Sequence, residues 1–296
     1  MTTGSRHYDR VTLYTVKSLR HSSFDADLVI LDEAHELVTD QNFQLLLNYR
    51  DARFIALTAT PDTRYDNKHE RLKALVGPVL FQISYKRTLQ AGLNVPVVVR
   101  WYAATEGYVP EDCKISEIKK FGLWRNERFN RLVAQVARKY LDEGKQVLIL
   151  VDTAEHAENL SKQQLLSDFE VIIASRSKNA SLDPCTRKER ERVRKAFERR
   201  EIMGVIATKI WSTGVSFNDL EVLVRADCTA SHTESIQIPG RVSRVPELTD
   251  KEYGIVVDFA PVFNAWLERS ARKRMKYYKE YGWSQILPDG RIIKPE

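Results

Sequence analysis

The chain has few cysteines, and their spacing argues against two kinds of stabilising site. Cys113, Cys185 and Cys228 are far apart in a sequence of 296 residues and form no C-x-x-C pair. A cysteine-ligated zinc site or a disulfide framework is therefore not expected, and this usage fits a reducing cytoplasm. The sequence also lacks an apolar signal core at its start and any apolar run of membrane-spanning length. These features predict a soluble, cytoplasmic protein with no membrane partner.

A second absence concerns glycine. Of the twelve glycines only Gly144 is followed by lysine, so no G-x-x-x-x-G-K-[ST] loop can be written anywhere in the chain. That loop is a common means of cradling the phosphates of a nucleotide. The formal net charge of +6 is a mild basic excess, which suits a polyanionic partner but is weak support for one by itself.

Short apolar runs alternate with helical patterns, which predicts an α/β protein with parallel sheets. The runs are nearly continuous in Val, Ile and Leu, as in strands that helices cover on both faces. The predicted strands are 11–16, 28–31, 54–57, 147–151, 171–174, 205–207, 222–224 and 255–257. Glycines and prolines punctuate the segment after residue 91, and a new helix–strand pattern follows it. The predicted organisation is a first domain over 1–92, a linker over 93–125, a second domain over 126–285 and a tail over 286–296.

The sequence LVILDEAHEL at 28–37 places two carboxylates directly after a predicted strand. Ligands gather at the carboxyl ends of strands in open parallel sheets, so Asp32 is a candidate ligand for a Mg²⁺ ion that bridges phosphates. Glu33 is a candidate for orienting and deprotonating an attacking water, and His35 for reporting the state of a bound nucleotide. The alternative is an Asp-Glu pair that only caps a strand-to-helix turn. The D-E-A-H tetrad behind an apolar strand disfavours that alternative.

Two loops that follow predicted strands are rich in small hydroxyl residues. In ALTATP at 56–61, Thr58 and Thr60 can hydrogen-bond to the carboxylate loop and transmit its state, although T-A-T-P is also an ordinary turn. In VIATKIWSTGVS at 205–216, hydroxyls and backbone N–H groups can bind sugar–phosphate, or sense a nucleotide, without reading bases. An ordinary strand-to-helix loop is the alternative for this second segment as well.

The sequence QIPGRVSR at 237–244 carries two arginines three positions apart. If the segment is helical, Arg241 and Arg244 lie on one face, and Gly240 permits a close approach. Arginine presents a planar, permanently charged fork to phosphate oxygens, so both are candidate arginine fingers. An isolated G-R-x-x-R is more often the start of a surface helix, but the D-E-A-H tetrad upstream favours the functional interpretation.

Two stretches are strongly basic. The run 187–200 has apolar positions at helical spacing and is interpreted as a solvated helix with internal ion pairs. Near the end of the chain a helical apolar stripe predicts core packing, and five cations lie mainly off that stripe: Arg269, Arg272, Lys273, Lys276 and Lys279. Contact with phosphates and plain solvation remain equally open for this second basic face.

Together these segments resemble the superfamily-two helicases, in the branch that contains D-E-A-H. Residues 32–35 match motif II, 58–60 motif III, 208–216 motif V, and Gln237, Gly240, Arg241 and Arg244 the Q-x-x-G-R-x-x-R of motif VI. The segment 15–19 is similar to motif Ib, and Asp152 with its neighbours to motif IV. The sequence S-T-G-V-S and an Arg-x-x-x-Tyr…Gly-Trp ending at Trp283 are most similar to phage recombination and branch-migration helicases.

The resemblance implies two RecA-like domains that hold ATP and Mg²⁺ between them, the first of them incomplete. The implied catalytic residues are Glu33, Gln237, Arg241 and Arg244. The implied nucleotide-binding residues are Asp32, His35, Gly214, Ser216 and Gly240, with Asp32 and Glu33 on the Mg²⁺ ion. The implied nucleic-acid-binding residues are Thr15, Ser18, Thr58, Thr60, Asp152, Thr208, Ser212 and Thr213. The partner is expected to be DNA, with RNA left open, in the host cytoplasm if the chain is encoded by a phage.

The family's first domain opens with the phosphate-binding loop that this sequence lacks. We therefore expect a second polypeptide, or an upstream piece of the same one, to carry that loop. Without it, strands of residues 1–92 would expose apolar faces and be poorly stable alone. The leading hypothesis is the C-terminal portion of an ATP-dependent DNA helicase or translocase. A non-catalytic nucleic-acid-binding module and the motor portion of a restriction system are the alternatives.

Overall fold

The computed structural model describes residues 5–8, 10–21, 25–49, 51–58, 69–175, 180–211 and 217–295. The chain divides into two compact units, which we call unit 1, residues Met1–Gln82, and unit 2, residues Ile83–Glu296. Helices and parallel strands alternate within both units, so the predicted α/β class is confirmed.

The described part of unit 1 forms two small sheets and three α-helices. Its elements are β1 (Ser5–Tyr8), β2 (Val11–Tyr14), α1 (Val16–Leu19), β3 (Leu28–Leu31), α2 (Asp40–Leu47), β4 (Arg53–Ala56) and α3 (His69–Val76). Strands β1 and β2 form an antiparallel pair, and β3 and β4 form a parallel pair. A small core of buried residues lies beside the parallel pair: Leu31, Ala34, Val38, Leu46 and Leu72.

The parallel pair of unit 1 exposes apolar side chains, as the sequence predicted. Leu28 is 46% exposed, Ile30 60% and Ile55 48%. A two-stranded sheet has little apolar surface to bury on its own, and such exposure weakens it. Unit 1 therefore has a smaller and less protected core than unit 2.

The described part of unit 2 is built on an eight-stranded sheet. Its elements are α4 (Tyr85–Gln90), β5 (Val97–Ala104), α5 (Ile115–Lys119), α6 (Glu127–Asp142), β6 (Val147–Val151), α7 (Ala154–Ser161), β7 (Glu170–Ile172), α8 (Arg187–Glu198), β8 (Gly204–Thr208), β9 (Val222–Arg225), α9 (His232–Gln237), β10 (Gly254–Pro261), α10 (Ala265–Tyr281), β11 (Ser284–Ile286) and β12 (Ile292–Ile293). The strand order is β12-β11-β5-β10-β9-β6-β8-β7, and every pair except β11–β12 is parallel.

The central strands of unit 2 are buried along their whole length because helices cover both faces of the sheet. Every residue of β6 and β8 is buried. Side chains on the two faces enter two separate apolar clusters, one around Phe129 and Ile149 and the other around Phe197 and Val205. Side-chain oxygens cap the amino-terminal ends of several helices. The side chain of Asn126 caps α6, and that of Thr186 caps α8, where Thr186 and Glu189 form a capping box.

The segment 93–125 is part of unit 2, which differs from the predicted linker. Within it β5 pairs with β10 along all eight residues, and the units divide at Gln82 and not near residue 92. Gly92 and Pro96 precede this strand and Gly107 follows it, so they bound an element of the sheet. The predicted tail also joins the sheet, because Ile292 and Ile293 pair with β11. The pairing of β5 is invisible to local sequence patterns, since its partner β10 lies about 160 residues away.

Candidate nucleotide site and nucleic-acid interface

Asp32 and Glu33 leave the carboxyl end of β3 with both side chains exposed. Leu31 before them is 5% exposed and Ala34 after them is fully buried, so the pair is anchored on both sides. The backbone N–H of Glu33 donates to Oδ1 of Asp32 over 3.0 Å. Glu33 has φ 48° and ψ 46°, a left-handed conformation that is uncommon for a residue with a side chain. The turn therefore directs two carboxylates into solvent at the strand end.

His35 connects this turn to the loop after β4. Its Nδ1 lies 3.0 Å from Oγ1 of Thr58 and 3.5 Å from Oε2 of Glu33. The backbone N–H of Ala34 also donates to the carbonyl of Leu57 over 3.0 Å. The predicted hydrogen bond between the hydroxyl segment and the carboxylate loop is thus present at Thr58. Thr60 lies outside the described residues.

Thr15 and Ser18 form a local hydroxyl pair after β2. Oγ1 of Thr15 accepts from the backbone N–H of Ser18 over 3.2 Å and lies 2.8 Å from Oγ of Ser18. Thr15 therefore caps the four-residue helix α1, which is a structural role that sequence reasoning did not assign to it.

The two arginines of 237–244 do not share one helical face, so that part of the prediction is wrong. Helix α9 ends at Gln237, Arg241 lies in a 3₁₀ turn over Pro239–Ser243, and Arg244 has extended backbone. Proline has no N–H to continue the α-helical hydrogen bonds, which explains the change of structure at Pro239. Arg241 is 9% exposed.

Arg244 and Ser243 form backbone contacts with the segment just before β5. Arg244 forms an isolated antiparallel bridge with Asn94, and the N–H of Val95 donates to the carbonyl of Ser243 over 2.7 Å. Burial lowers the pKa of the Arg244 guanidinium. Gly240 has open space where a Cβ would lie, so packing within the protein does not require a glycine there. Close approach by a bound ligand remains the explanation that the sequence suggested for it.

Asp152 follows β6 and is engaged by a neighbouring cation. Its Oδ2 accepts from Nζ of Lys119 over 2.6 Å, and its Oδ1 accepts from the hydroxyl of Thr229 over 3.2 Å. Burial raises the pKa of Asp152 while the Lys119 ammonium opposes that rise. Asp152 therefore joins α5, β6 and the loop after β9, and both of its oxygens already have partners.

Thr208 ends β8, which lies beside β6, and Lys209 follows it. The side chain of Thr208 is buried, and its hydroxyl has no hydrogen-bond partner among the residues that the structure describes. Nζ of Lys209 lies 2.9 Å from Oε1 of Glu234 on α9 and 3.8 Å from Oδ1 of Asp152. The carboxyl ends of β6, β8 and β9 thus carry one connected polar cluster. Ser212, Thr213, Gly214 and Ser216 lie outside the described residues.

A second polar cluster at this edge was missed by sequence reasoning. Arg225 is fully buried, makes two contacts to Asp227 at 2.7 and 3.1 Å, and donates to the carbonyl of Thr229 over 3.0 Å. It also donates to the hydroxyl of Tyr278 over 3.0 Å. The opposing Asp227 carboxylate keeps the pKa of Arg225 well above its ordinary value despite burial. The sequence signal that could have predicted this ion pair is the spacing Arg225-Ala-Asp227, which places opposite charges two residues apart.

The rest of this cluster explains the Arg-x-x-x-Tyr signature noted in the sequence. Arg274 and Tyr278 lie one turn apart on α10, and both contact Asp258 of β10, at 2.9 and 2.7 Å. Arg274 also donates to the carbonyl of Cys228 over 2.8 Å. Cys228 has a φ of 47°, so the two buried arginines hold a strained loop directly before α9.

Two properties of the described residues bear on partners. None of the described helices is long and apolar enough to cross a membrane. No group of three or more His, Cys, Asp or Glu side chains in the described ranges is arranged to hold a metal ion. A Mg²⁺ ion is usually bound through one or two carboxylates together with substrate phosphates, so Asp32 and Glu33 fit it without a larger cluster.

Comparison with known proteins supports the sequence resemblance. Residues 127–246 match the family described as "Helicase conserved C-terminal domain". The chain is 24% identical to a candidate helicase of Sulfolobus islandicus filamentous virus (isolate Iceland/Hveragerdi), over 94% of this chain and 50% of that protein. It is 25% identical to "Probable helicase D10" of Escherichia phage T5, over 87% of this chain and 54% of that protein. The chain therefore spans about half the length of the curated relatives it matches.

Solved structures share the fold. S. cerevisiae Dbp5 bound to RNA and ADP BeF3 has a TM-score of 0.61 at 17% identity, covering 93% of this chain and 63% of that chain. A fragment described as an HsdR subunit of a type I restriction enzyme from Vibrio vulnificus YJ016 has a TM-score of 0.59 at 18% identity, covering 90% of this chain and 49% of that chain. These likenesses show the fold alone. Taken with the sequence matches, they confirm that the chain resembles the C-terminal portion of a superfamily-two helicase with RecA-like domains.

Proposed function

We propose that the chain is the C-terminal portion of an ATP-dependent DNA helicase or translocase. The observation that carries this proposal is the turn after β3, where Asp32 and Glu33 are exposed while His35 bonds to Thr58. A structural turn would have no use for a left-handed Glu33 beside a second exposed carboxylate. Strain of this kind is common where a side chain must be aimed at a ligand.

The chemistry follows from the residue types. When bound, Mg²⁺ would neutralise charge on the terminal phosphates of ATP, and Asp32 would hold it. Glu33 would orient and deprotonate the attacking water, and the His35–Thr58 bond would pass the state of the turn to the loop after β4. Arg241 and Arg244 would stabilise charge on the transferred phosphoryl group, with Gln237 and Gly240 beside them. Gly214 and Ser216 remain proposed nucleotide contacts.

Nucleic acid would be held through its backbone. The hydroxyls of Thr15, Ser18, Thr58, Thr60, Thr208, Ser212 and Thr213 are the proposed contacts. A carboxylate repels phosphate, and Asp152 already accepts from Lys119 and Thr229, so its proposed role is to fix those two residues in place. Contacts of this class bind DNA or RNA without reading sequence. The proposed site of action is the cytoplasm.

A second polypeptide, or an upstream segment of the same one, would supply the phosphate-binding loop. The greater length of the curated relatives supports this part of the proposal. Two other functions remain candidates. The first is a non-catalytic module, which would bind nucleic acid without responding to ATP. The second is the motor portion of a restriction system, for which the likeness in fold to an HsdR subunit is the supporting observation.

ATP hydrolysis by the purified chain, with and without DNA, tests the proposal. The chain alone is expected to be inactive, and adding the polypeptide that carries the loop is expected to produce DNA-stimulated hydrolysis that Glu33→Gln abolishes. Hydrolysis by the chain alone would show that no separate loop is needed. No hydrolysis in either preparation, with DNA binding intact, would favour the non-catalytic module.

A further inference from the structure

Helix α10 carries a row of exposed cations that we call the α10 cationic face: Arg269, Arg272, Lys273 and Lys276. Their spacing of three, one and three residues places them on one side of the helix. The side chains of Arg272 and Lys276 are 74% and 72% exposed, and Arg269 and Lys273 are exposed as well. The row is therefore accessible to a large partner.

The opposite side of α10 is fixed in the core. Leu267 and Ala271 are buried in the two apolar clusters, and Arg274 and Tyr278 are tied to Asp258. A helix held in this way cannot turn its cations away or reorient without breaking a buried ion pair. A rigid row of charges loses less conformational freedom on binding than charges on a loop.

The carboxylates of α10 form ion pairs with only two of the four cations of the α10 cationic face, among the described residues. Arg272 contacts Glu268 at 2.7 Å, and Lys276 contacts Glu280 at 3.6 Å. Neither Arg269 nor Lys273 has a carboxylate partner within the described part of the chain. The face thus keeps a positive excess that nothing described in the protein balances.

Helix α8 offers an internal comparison, because it is equally rich in basic residues. There Arg194 contacts both Glu191 and Glu198, and Arg192 lies 3.8 Å from Glu170. The pKa of Glu191 is lowered by Arg194 first and also by Lys195 and Arg187. Two of the six cations of α8 thus contact carboxylates, as Arg272 and Lys276 do on α10, so the two helices are compared by their position and not by their ion pairing.

The position of α10 connects this face to the proposed nucleic-acid contacts. Helix α10 begins just after the carboxyl end of β10, and β10 is parallel to β9, β9 to β6, and β6 to β8. The amino-terminal half of α10 therefore starts at the edge of the sheet that carries Asp152 and Thr208. A backbone that crosses this edge can continue along α10.

We propose that the α10 cationic face binds the phosphate backbone of the nucleic acid and extends the contact beyond the loops at the strand ends. This proposal rests on the proposed function for its partner. From Arg269 to Lys276 the helix rises about 10 Å, which is long enough to contact more than one phosphate of a strand. Binding is electrostatic, so the face adds affinity without adding sequence preference.

Binding of a fluorescein-labelled single-stranded DNA to the full chain, followed by anisotropy over a range of NaCl concentrations, tests this assignment. The test variant is Arg269→Gln with Lys273→Gln. The control is Arg187→Gln with Lys195→Gln, which removes the same two charges from exposed positions on α8. Tryptophan fluorescence verifies folding, because all five tryptophans lie in unit 2.

The test variant is expected to bind more weakly, with the slope of log K against log [NaCl] shallower by about 1.4, two contacts at about 0.7 each. The control is expected to keep the slope of the unsubstituted chain. Equal slopes for the test variant and the unsubstituted chain, or an equal reduction in both variants, would overturn the assignment while leaving the proposed function intact. A lack of DNA binding by the unsubstituted chain would overturn the proposed nucleic-acid function itself.

Discussion

His156 is the clearest case in which burial controls the charge of a single residue. It is fully buried, and its Nε2 lies 3.1 Å from the Oδ1 of Asn130. Burial lowers the pKa of the imidazole to about 3, and the nearby Lys119 ammonium adds to the effect. His156 therefore remains neutral in the folded protein at any pH near neutrality.

This lowered pKa predicts a loss of stability in acid. Between pH 6.5 and 3 the unfolded chain binds a proton at His156 that the folded chain does not, so the free energy of unfolding falls as the pH falls. From pH 6.5 to 4.5 the contribution is about 2 to 3 kcal/mol at about 1.4 kcal/mol per pH unit. Urea unfolding followed by tryptophan fluorescence should show a smaller pH dependence for His156→Gln. An unchanged dependence would mean that other groups cause it.

Arg274 and Asp258 predict a coupled effect on stability. Replacing Arg274 with Met leaves a fully buried carboxylate with its charge unopposed by that arginine, and such losses cost about 3 to 5 kcal/mol. Adding Asp258→Asn removes the negative charge of the buried carboxylate, so the double variant should be more stable than Arg274→Met alone. The same urea experiment measures both. If the two costs simply add, the pair is not coupled in the way the contacts indicate.

The residues that could be predicted from the sequence are those whose role follows from their neighbours in the chain. Asp32 and Glu33 come directly after an apolar strand, and the structure leaves both at a strand end with exposed side chains. Lys119 and Arg274 were not predicted as site residues because their partners, Asp152 and Cys228, are 33 and 46 positions away. Only folding brings those pairs together.

At the scale of elements, the 3₁₀ turn over 239–243 is held closely against the start of β10. A Cβ at Gly254 would lie 2.2 Å from the carbonyl oxygen of Val242, which is too close for any real contact. A Cβ at Gly240 would meet nothing within 4 Å. Two glycines near the same turn therefore have opposite packing constraints.

Gly254→Ala is expected to displace the turn that carries Arg241, lower the urea midpoint of unit 2 and reduce ATP turnover. Gly240→Ala is the matched substitution and should change the free energy of unfolding by less than about 0.5 kcal/mol. If Gly240→Ala lowers turnover at unchanged stability, a ligand approaches that position. A tolerated Gly254→Ala would contradict the packing described for β10 and the turn.

The same turn shows which structural features can be predicted from the local sequence and which cannot. The sequence predicted the importance of Arg241 and Arg244, but it treated 237–244 as one helix. Pro239 ends the α-helix, and Asn94 draws Arg244 into an extended bridge. The first effect is local and could have been predicted from the proline. The second depends on a partner about 150 residues away and could not.

At the scale of the whole molecule, the two units differ in how well their apolar surface is covered. Unit 1 leaves Leu28, Ile30 and Ile55 exposed on its parallel pair, whereas the strands β6 and β8 of unit 2 are wholly buried. The α/β class was predictable because both sets of strands have continuous apolar runs. The place of β5 in the sheet was not, because its pairing with β10 has no local signal.

Limited proteolysis should reflect this difference. Segments with few buried apolar contacts open at a lower free energy than well-packed ones. Trypsin is therefore expected to degrade unit 1 first and to leave a resistant fragment that begins near Ile83, as identified by mass spectrometry. Equal resistance of both units would contradict the expectation that unit 1 is poorly stable alone.

The most direct measurement is the turnover number for ATP in the preparation that hydrolyses it, for Glu33→Gln, Arg244→Gln and the double variant. Each single substitution is expected to lower turnover by about 10² or more, since the carboxylate and the arginine are proposed to act on the same phosphoryl group. Residues that act together are strongly non-additive, so the double variant should be little worse than the poorer single variant. Full turnover in either single variant, or losses that multiply in the double variant, would contradict the proposal that both residues serve one bound ATP.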